Sequence, residues 1–551
     1  MIIYLNKIVY LFFLLLSVVA CKPEKAKEDS PVPPPPGPVV DPDISTNKSI
    51  ITYNYPDVIV EDRGQGFLKK SRIFTVSIVG EDGKEVPTYV MEDRNSYKQH
   101  EPNGAGDNMT DYNHIAQFAF SGSVKVRVRR IDGGSLSDVT LYPKTKGYSY
   151  TKEDDYIEIP LSQWAHIYVE VKDLMDKDPL FIFADPPLEN IPEKNKWVEV
   201  LTPDMSASEV RNAILTTSKK TIYFSEGVYD FNEETVLGNN YLGYQLPLVS
   251  NKDYYIPGGA VVVGSFKTVD DGNSDNIRFF GHGVVTAAGK DRLGSDESIP
   301  YNLFLSYGDN NLIEGIQFLS PSHFAVLSRG SLITKHAKMF GWWHQTDGWG
   351  AEDDSTIENC FIKANDDNIK IYSTRQKVKN VIIYKQINGA GIQFGWGATG
   401  NAKDCIIEDL YIVHDDPVFP NPNQPDNGAV ANLRNNAGST INNITFKNIY
   451  IECDVQRIIG FQNNGGVMSN FLFENIKQDG VNRSTNNYLI GTKSNGTYGS
   501  FSNFTFKNCT IKGVSITSDS QDGWNMKQVT TENMDKKSKW TNTNLTTIKY
   551  E

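Results

Sequence analysis

Two adjacent carboxylates stand in the stretch "FIKANDDNIKIY" (361–372), at Asp366 and Asp367, although Phe361, Ile362, Ile369, Ile371 and Tyr372 around them are good strand formers. Asp is depleted in strands, and neighbouring like charges repel. A third acid, Asp347, lies 19 residues upstream of Asp366 in "WWHQTDGWG" (342–350). Three carboxyl groups brought together cannot all ionise cheaply, so one is held protonated by its neighbours. A protonated carboxyl beside an ionised one is the equipment of glycoside hydrolysis: one gives a proton to the leaving oxygen and the other activates water. The same residues also fit a solvated turn or a calcium site. The surroundings favour a sugar. Trp342, Trp343, Trp349, Tyr372 and Trp396 lie in or near the same stretches, and aromatic faces on an outer wall suit the apolar faces of sugar rings. Each tryptophan taken alone fits core packing equally well.

Whether these groups meet depends on the fold. From "NIRFFGHGVVTAAG" onward one theme recurs, through "NLIEGIQFLSPSH", "STIENCFIKANDD", "KVKNVIIYKQING", "DCIIEDLYIVHDD", "INNITFKNIYIEC", "MSNFLFENIKQDG" and "FSNFTFKNCTIKG". Each copy has an apolar residue, a gap with Asn or Asp, a second apolar cluster and a polar bend. Short strands repeated at roughly 20–50 residues, without helices or a leucine-rich consensus, predict a parallel β-helix; a second β-sandwich with accidental self-similarity is the competing reading. In a β-helix a coil of about 20 residues lies on the next at the ~4.8 Å strand spacing, so Asp347 and the pair Asp366/Asp367 are expected on neighbouring coils. The stretch "SASEVRNAILTTS" (206–218) predicts one helix, capped by Ser206 or Ser208 with Val210, Ala213, Ile214 and Leu215 as its apolar stripe, to cover the open end of the solenoid. Before it, "RIFTVSIVG", "SGSVKVRVRRI", "DVTLYP", "YIEIPLS" and "HIYVEVKDL" alternate as strands and predict a β-sandwich.

The expected organisation is therefore all-β: a leader over 1–21, a Pro-rich linker over 22–43, a β-sandwich over 44–195 and a right-handed parallel β-helix over 196–551. The leader has a lone Lys7, an apolar run from Ile8 to Ala20 and then Cys21. That run is short for a membrane span, and a small residue followed by cysteine resembles a bacterial lipobox. Cys21 is then the lipidated N-terminus of an envelope protein, an outer-membrane lipoprotein, with "SPVPPPPGPVVDPD" (30–43) as a stiff spacer. A net charge of -13 excludes a nucleic-acid partner, which needs a basic footprint, and disfavours a polyanionic substrate; a neutral polysaccharide fits, and a monomer is expected. Cys360, Cys405, Cys453 and Cys509 sit in similar contexts with no metal-ligand spacing, and read as buried thiols, with a disulfide as the second reading.

The run "QTDGW", then "NDDN", then "GIQFGWG" (391–397) resembles the catalytic region of glycoside hydrolase family 49, the dextranase and isopullulanase type, itself related to the polygalacturonase-like β-helix hydrolases. The resemblance covers both the sandwich and the β-helix. It implies an inverting hydrolase of an α-glucan, with Asp366 as general acid, Asp347 and Asp367 holding and activating water, and no cofactor or metal. Endo-cleavage of α-1,6 links in dextran comes first and isopullulanase-like α-1,4 cleavage second. The expected sugar contacts are Trp343, Trp349, Lys370, Tyr372, Gln393, Trp396, His414 and Arg434. Where polygalacturonases carry Gly-His-Gly and Arg-Ile-Lys motifs, this chain has "FGWG" and a Lys without the Arg. A non-catalytic glycan-binding lipoprotein and a calcium-dependent lyase remain as alternatives of other classes.

Overall fold

Asparagine and aspartate at the bends set the shape of the coils. The computed structural model describes residues 50–551 except 61–65, 99–107, 232–235, 238–240, 243–244, 270–273, 289–301, 343–345, 397–400, 417–427, 435–437, 484–486, 495–496, 518–525, 532–547 and the single residues 176 and 322. The leader, Cys21 and the Pro-rich linker lie outside the described residues. From Val198 onward the chain winds into a right-handed parallel β-helix, whose described strands form one sheet of 21, another of 12 and a two-stranded ribbon. Each coil gives the larger sheet two runs that meet at a residue in the left-handed region: Asn359, Asn380, Asp409, Asn448, Asn475 and Asn508 in successive coils, all with φ between 50° and 58°. Asn and Asp tolerate that conformation better than other side-chain-bearing residues. Their side chains also bond along the stack, Asn380 Nδ2 to Asn359 Oδ1 at 2.8 Å and Asn475 Nδ2 to Asn448 Oδ1 at 3.0 Å. A parallel ladder does the same at the other bend, where Asn443 Nδ2 donates to Asp404 Oδ1 and Asn503 Nδ2 to Asn470 Oδ1. The recurrent polar gap in the sequence is thus the bend itself.

Inside the coils like residues stack on like. Phe471 lies on Phe504 at 4.7 Å between ring centres, and Phe473 on Phe506 at 4.8 Å, because register places "FLF" directly over "FTF". The four described cysteines are free thiols: Cys360, Cys405 and Cys509 are buried and Cys453 is half-buried. Cys405, for example, donates to the Ser373 carbonyl of the coil below at 3.3 Å. The predicted helix runs over Ala207–Thr216 with a capping box between Ser206 and Glu209. Val210 and Ile214 enter the core of the coils. Leu215, expected on the buried stripe, is exposed, one step round the helix from Ile214.

The described strands from Ile50 to Asp185 form two sheets packed face to face. The strand Val124–Arg130 buries Val124, Val126 and Val128 and turns Lys125, Arg127 and Arg129 out, the alternation of a half-solvated sheet. The strand Leu180–Asp185 is buried on both faces. Leu180, Ile182 and Ala184 fill the sandwich core, while Phe181 and Phe183 pack on Phe340 and Phe361 of the β-helix. Asp185 continues that second face into a buried polar cluster. It pairs with Lys338, accepts from Gln117 Nε2 at 2.9 Å, and lies 2.9 Å from His166 Nε2 and 3.6 Å from His282 Nε2. Burial would raise this carboxyl, but Lys338 and His166 outweigh it and hold it well below the usual range. Farther along, Glu452 of the β-helix accepts from the Lys144 and Thr145 backbone amides at 2.6 and 2.9 Å.

Candidate active site

The smaller sheet carries the acids. The strand Asp347–Gly350 pairs in parallel with Ile369–Lys370, Trp349 opposite Ile369 and Gly350 opposite Lys370. That offset is 20 residues, so the neighbour of Asp347 is Asp367, one place beyond the residue 19 positions away. Backbone bonds close the arrangement: Gly348 N donates to Asp367 O at 2.9 Å, Asp367 N to Asp347 Oδ1 at 3.2 Å, and Asp366 N to Thr346 O at 2.9 Å. Asp366 and Asp367 sit where the chain turns out of Phe361–Ala364, which lets both side chains serve one face. One oxygen from each of Asp347, Asp366 and Asp367 lies within 4.8 Å of the others. The expected stacking of the three acids is therefore present. Gly389 makes room for them. It is in the left-handed region at φ 72°, and a Cβ there would stand 2.1 Å from the Asp366 carbonyl carbon; only glycine fits.

Lys370 holds two of the three. Its Nζ is 3.0 Å from Asp367 Oδ2 and 3.2 Å from Asp347 Oδ2, and it donates to Gln393 Oε1 at 3.3 Å. Burial would lower this amine, but Asp367 and Asp347 outweigh it and hold it well above the ordinary lysine value. Asp347 is almost wholly buried. Burial pushes its carboxyl up to about 7; Lys370 pulls it down and the charge on Asp367 pushes it up further. Asp367 Oδ1 also accepts from the Ala390 amide at 3.0 Å, and Asp366 Oδ2 from Asn388 Nδ2 at 3.1 Å. The three acids could by spacing ligate a cation, but one would have to displace the Lys370 ammonium.

The other expected contacts divide. Gln393 follows Lys370 in register on the next coil, and Tyr372 donates its hydroxyl to Gln393 Oε1. Trp396 and Arg434 oppose each other farther along the same sheet, with the guanidinium 5.0 Å from the ring centre. Trp349 is a core residue, not a platform: it is fully buried and its Nε1 donates to Thr334 Oγ1 at 3.0 Å. On this strand it shares a register with Ile369, which faces inward. The structure places His414 on the larger sheet, stacked on Tyr384 at 4.0 Å and bonded to Asp416 at 2.7 Å; Tyr384 packs on Tyr168 and Phe181 of the sandwich. Its ring is not brought to the acids. Trp343 lies outside the described residues. Sequence reasoning missed Asn388, Asn365 and Asn368. Asn388 reaches Asp366, Asn365 Nδ2 ties to the Trp342 carbonyl at 2.8 Å and Asn368 Nδ2 to the Ala390 carbonyl at 3.2 Å. Asn-Gly at 388–389 signals only a turn, and nothing in it points to the acid on the coil below.

The wall of the β-helix thus brings three carboxyl groups and a lysine together on neighbouring coils. The chain is similar to the dextranase of Arthrobacter globiformis, 24% identical over 339 residues that cover 55% of this chain and 50% of the relative. It is also similar to the isopullulanase of Aspergillus niger, 22% identical over 417 residues, 67% of this chain and 70% of the other. The matched region thus spans about half the length of that dextranase. No family model matches the sequence. Among solved structures, Dex49A from Penicillium minioluteum superposes with a TM-score of 0.66 at 18% identity, over 88% of this chain and 98% of that one. The resemblance to the dextranase and isopullulanase type, read from the acids and their spacing, is borne out by these relatives, and the fold is shared with Dex49A.

Proposed function

We propose that the protein is a glycoside hydrolase that cleaves an α-glucan, with endo-hydrolysis of α-1,6 links in dextran as its first activity and isopullulanase-like α-1,4 cleavage as the rival within the same chemistry. The dextranase and isopullulanase relatives support the substrate class. The observation that carries the reading is the cluster of Asp347, Asp366 and Asp367 on one rung of the outer wall. Asp366, held by Asn388 and less buried than the other two, gives its proton to the glycosidic oxygen as the bond to the anomeric carbon breaks. A water held by Asp347 and Asp367 attacks that carbon and leaves its proton on one of them. Among the described residues, the lysine nearest the acids is engaged by two of them; this favours a neutral chain over polygalacturonate.

Inversion is proposed because two carboxylates, rather than a single nucleophile, flank the place for water. The separation usual for inverting pairs is ~6.5–9.5 Å, whereas one oxygen from each acid here stands within 4.8 Å of the others, as stacking on neighbouring coils brings them together. The first-formed anomer, read by NMR on fresh product, decides: β from an α-glucan agrees, α means that one of the acids is a nucleophile. Sizing the products from dextran, pullulan and polygalacturonate side by side tests the substrate; cleavage of polygalacturonate alone would overturn the glucan reading. The enzyme is further proposed to be a monomeric envelope lipoprotein tethered through Cys21, an idea that fails if a Cys21→Ser chain partitions with membranes as the wild type does.

A further inference from the structure

We propose that Lys370 is a positioning residue that sets the charge and place of the water-activating pair and makes no contact with substrate. This rests on the hydrolase reading above but goes beyond it, since the resemblance alone placed Lys370 among the sugar contacts.

An ammonium has three hydrogens and no acceptor. Lys370 faces three acceptors: Asp367 Oδ2 at 3.0 Å, Asp347 Oδ2 at 3.2 Å and Gln393 Oε1 at 3.3 Å. Two are hydrogen bonds and the third an ion pair, so the groups already around the ammonium match its three hydrogens. The rings of Phe324 and Tyr372 flank the Nζ with centres at 5.4 and 5.8 Å. Gln393 is fixed in turn. Its Oε1 accepts from both Lys370 and the Tyr372 hydroxyl, which leaves its amide oriented one way and its Nε2, buried, without an acceptor.

The charged and titratable groups around the ammonium are Asp366 and Asp367 on its own turn, Asp347 on the coil before, and Tyr372. The Lys370 ammonium beside the buried Asp347 carboxyl favours its charged form, so Asp347 gives up its proton at lower pH than it would without the lysine. A water-activating carboxylate must be ionised. The cation therefore extends activity toward acid pH, and its loss should cost turnover on the acid side while leaving affinity alone.

The test uses the full-length protein with Lys370→Met, Lys370→Gln and Lys370→Arg. On whichever glucan the wild type cleaves, the acid limb of kcat/KM should move up by about 1–3 pH units in the Met and Gln variants, with KM unchanged and kcat restored at higher pH. The Arg variant, which keeps the charge, should keep the wild-type limb. An unmoved acid limb with a raised KM would show that Lys370 reads substrate and would overturn the proposal; so would an Arg variant shifted as far as Met. Carbon-13 titration of aspartate carboxyls in the wild type and the Gln variant gives a second readout that needs no substrate. The highest carboxyl pKa of the site should rise on losing the cation, and an unchanged titration refutes the bridge even if no glucan is cleaved. Absence of wild-type cleavage on every glucan would instead defeat the hydrolase reading and leave the bridge to the titration.

Discussion

His336→Asn should make the protein more resistant to acid. His336 takes a place that asparagine holds elsewhere: it sits at a bend with φ 49°, in the ladder continued by Asn359 and Asn380, and its Nε2 is 3.5 Å from Asn359 Nδ2. Its Nδ1 is buried without a partner. Burial holds its pKa at about 3, Asp185 pulling up and His166 and Lys338 pushing down. The ring is therefore neutral in the folded protein down to strongly acidic pH, whereas in the unfolded chain it charges near the ordinary ~6.5. Above that value neither state binds the proton and the histidine contributes no pH dependence. As pH falls from 6.5 toward 3 the unfolded state gains a proton that the folded state refuses, so stability is lost across that window. At a pH of about 4.5 the loss is about two units, or roughly 3 kcal/mol. Asparagine removes it and can bond to Asn359 as its neighbours do. The cost is the edge contact of Trp164 on the ring, centres 4.8 Å apart, roughly 1 kcal/mol at neutral pH. Urea unfolding followed by tryptophan fluorescence near pH 7 and near pH 4.5 should find the variant equal to or slightly weaker than wild type at the first and stronger by ~2 kcal/mol at the second. Parallel acid losses in the two proteins would refute the reasoning. His166 and His282, each held at about 4 by burial against the pull of Asp185, keep part of the acid sensitivity in both.

Asp366→Asn should lower turnover by ~10²–10⁴-fold with the fold intact by circular dichroism; retention of more than about a tenth of the wild-type rate removes Asp366 from the role of acid. Gly389→Ala should abolish activity and lower the urea midpoint, since the new methyl meets the Asp366–Asp367 backbone in a conformation that costs a side chain about 1–3 kcal/mol; a fully active variant would show that the acids tolerate displacement. Trp349→Ala should act on stability, by ~3–5 kcal/mol as expected for a buried aromatic, and a stable variant with only a raised KM would return Trp349 to the sugar.

The solenoid was legible because its physics is periodic. A bend that needs a left-handed residue every coil writes Asn or Asp into the sequence at a fixed place, and stacked interiors write "ITF", "FLF" and "FTF" in register. The acids were legible for the opposite reason: Asp366–Asp367 breaks a strand-forming run without an evident structural gain. What the sequence could not show was which side of the wall each residue faces. Trp349 fills the core from the smaller sheet, and His414 stacks on Tyr384 where the larger sheet meets the sandwich, so residue type alone does not mark the outer side. Nor could spacing show that Asp347 aligns with Asp367, since coil length varies by a residue or more and a one-place slip exchanges neighbours.

The sandwich explains why the site sits on these coils. The strand Lys338–Gly341 leads toward Asp347 and the strand Phe361–Ala364 into Asp366, the two being parallel neighbours. Their inward residues, Met339 and Ile362, lie in the solenoid core. Their outward residues are clamped by the sandwich: Phe340 and Phe361 by Phe181 and Phe183, Lys338 by Asp185, and Lys363 by Asn113, whose Oδ1 accepts from its Nζ at 2.5 Å. Strands fixed on both faces leave the turns that follow them little freedom. That matters because the acids stand on those turns, where small displacements change the carboxyl–carboxyl spacing and with it the charge that each can hold. The buried Asp185 cluster is then a support placed behind the coils that bear the three acids. Lys338 and Lys363 come from the strands that precede the acids, so loosening the sandwich should disturb the site before it disturbs the rest of the solenoid.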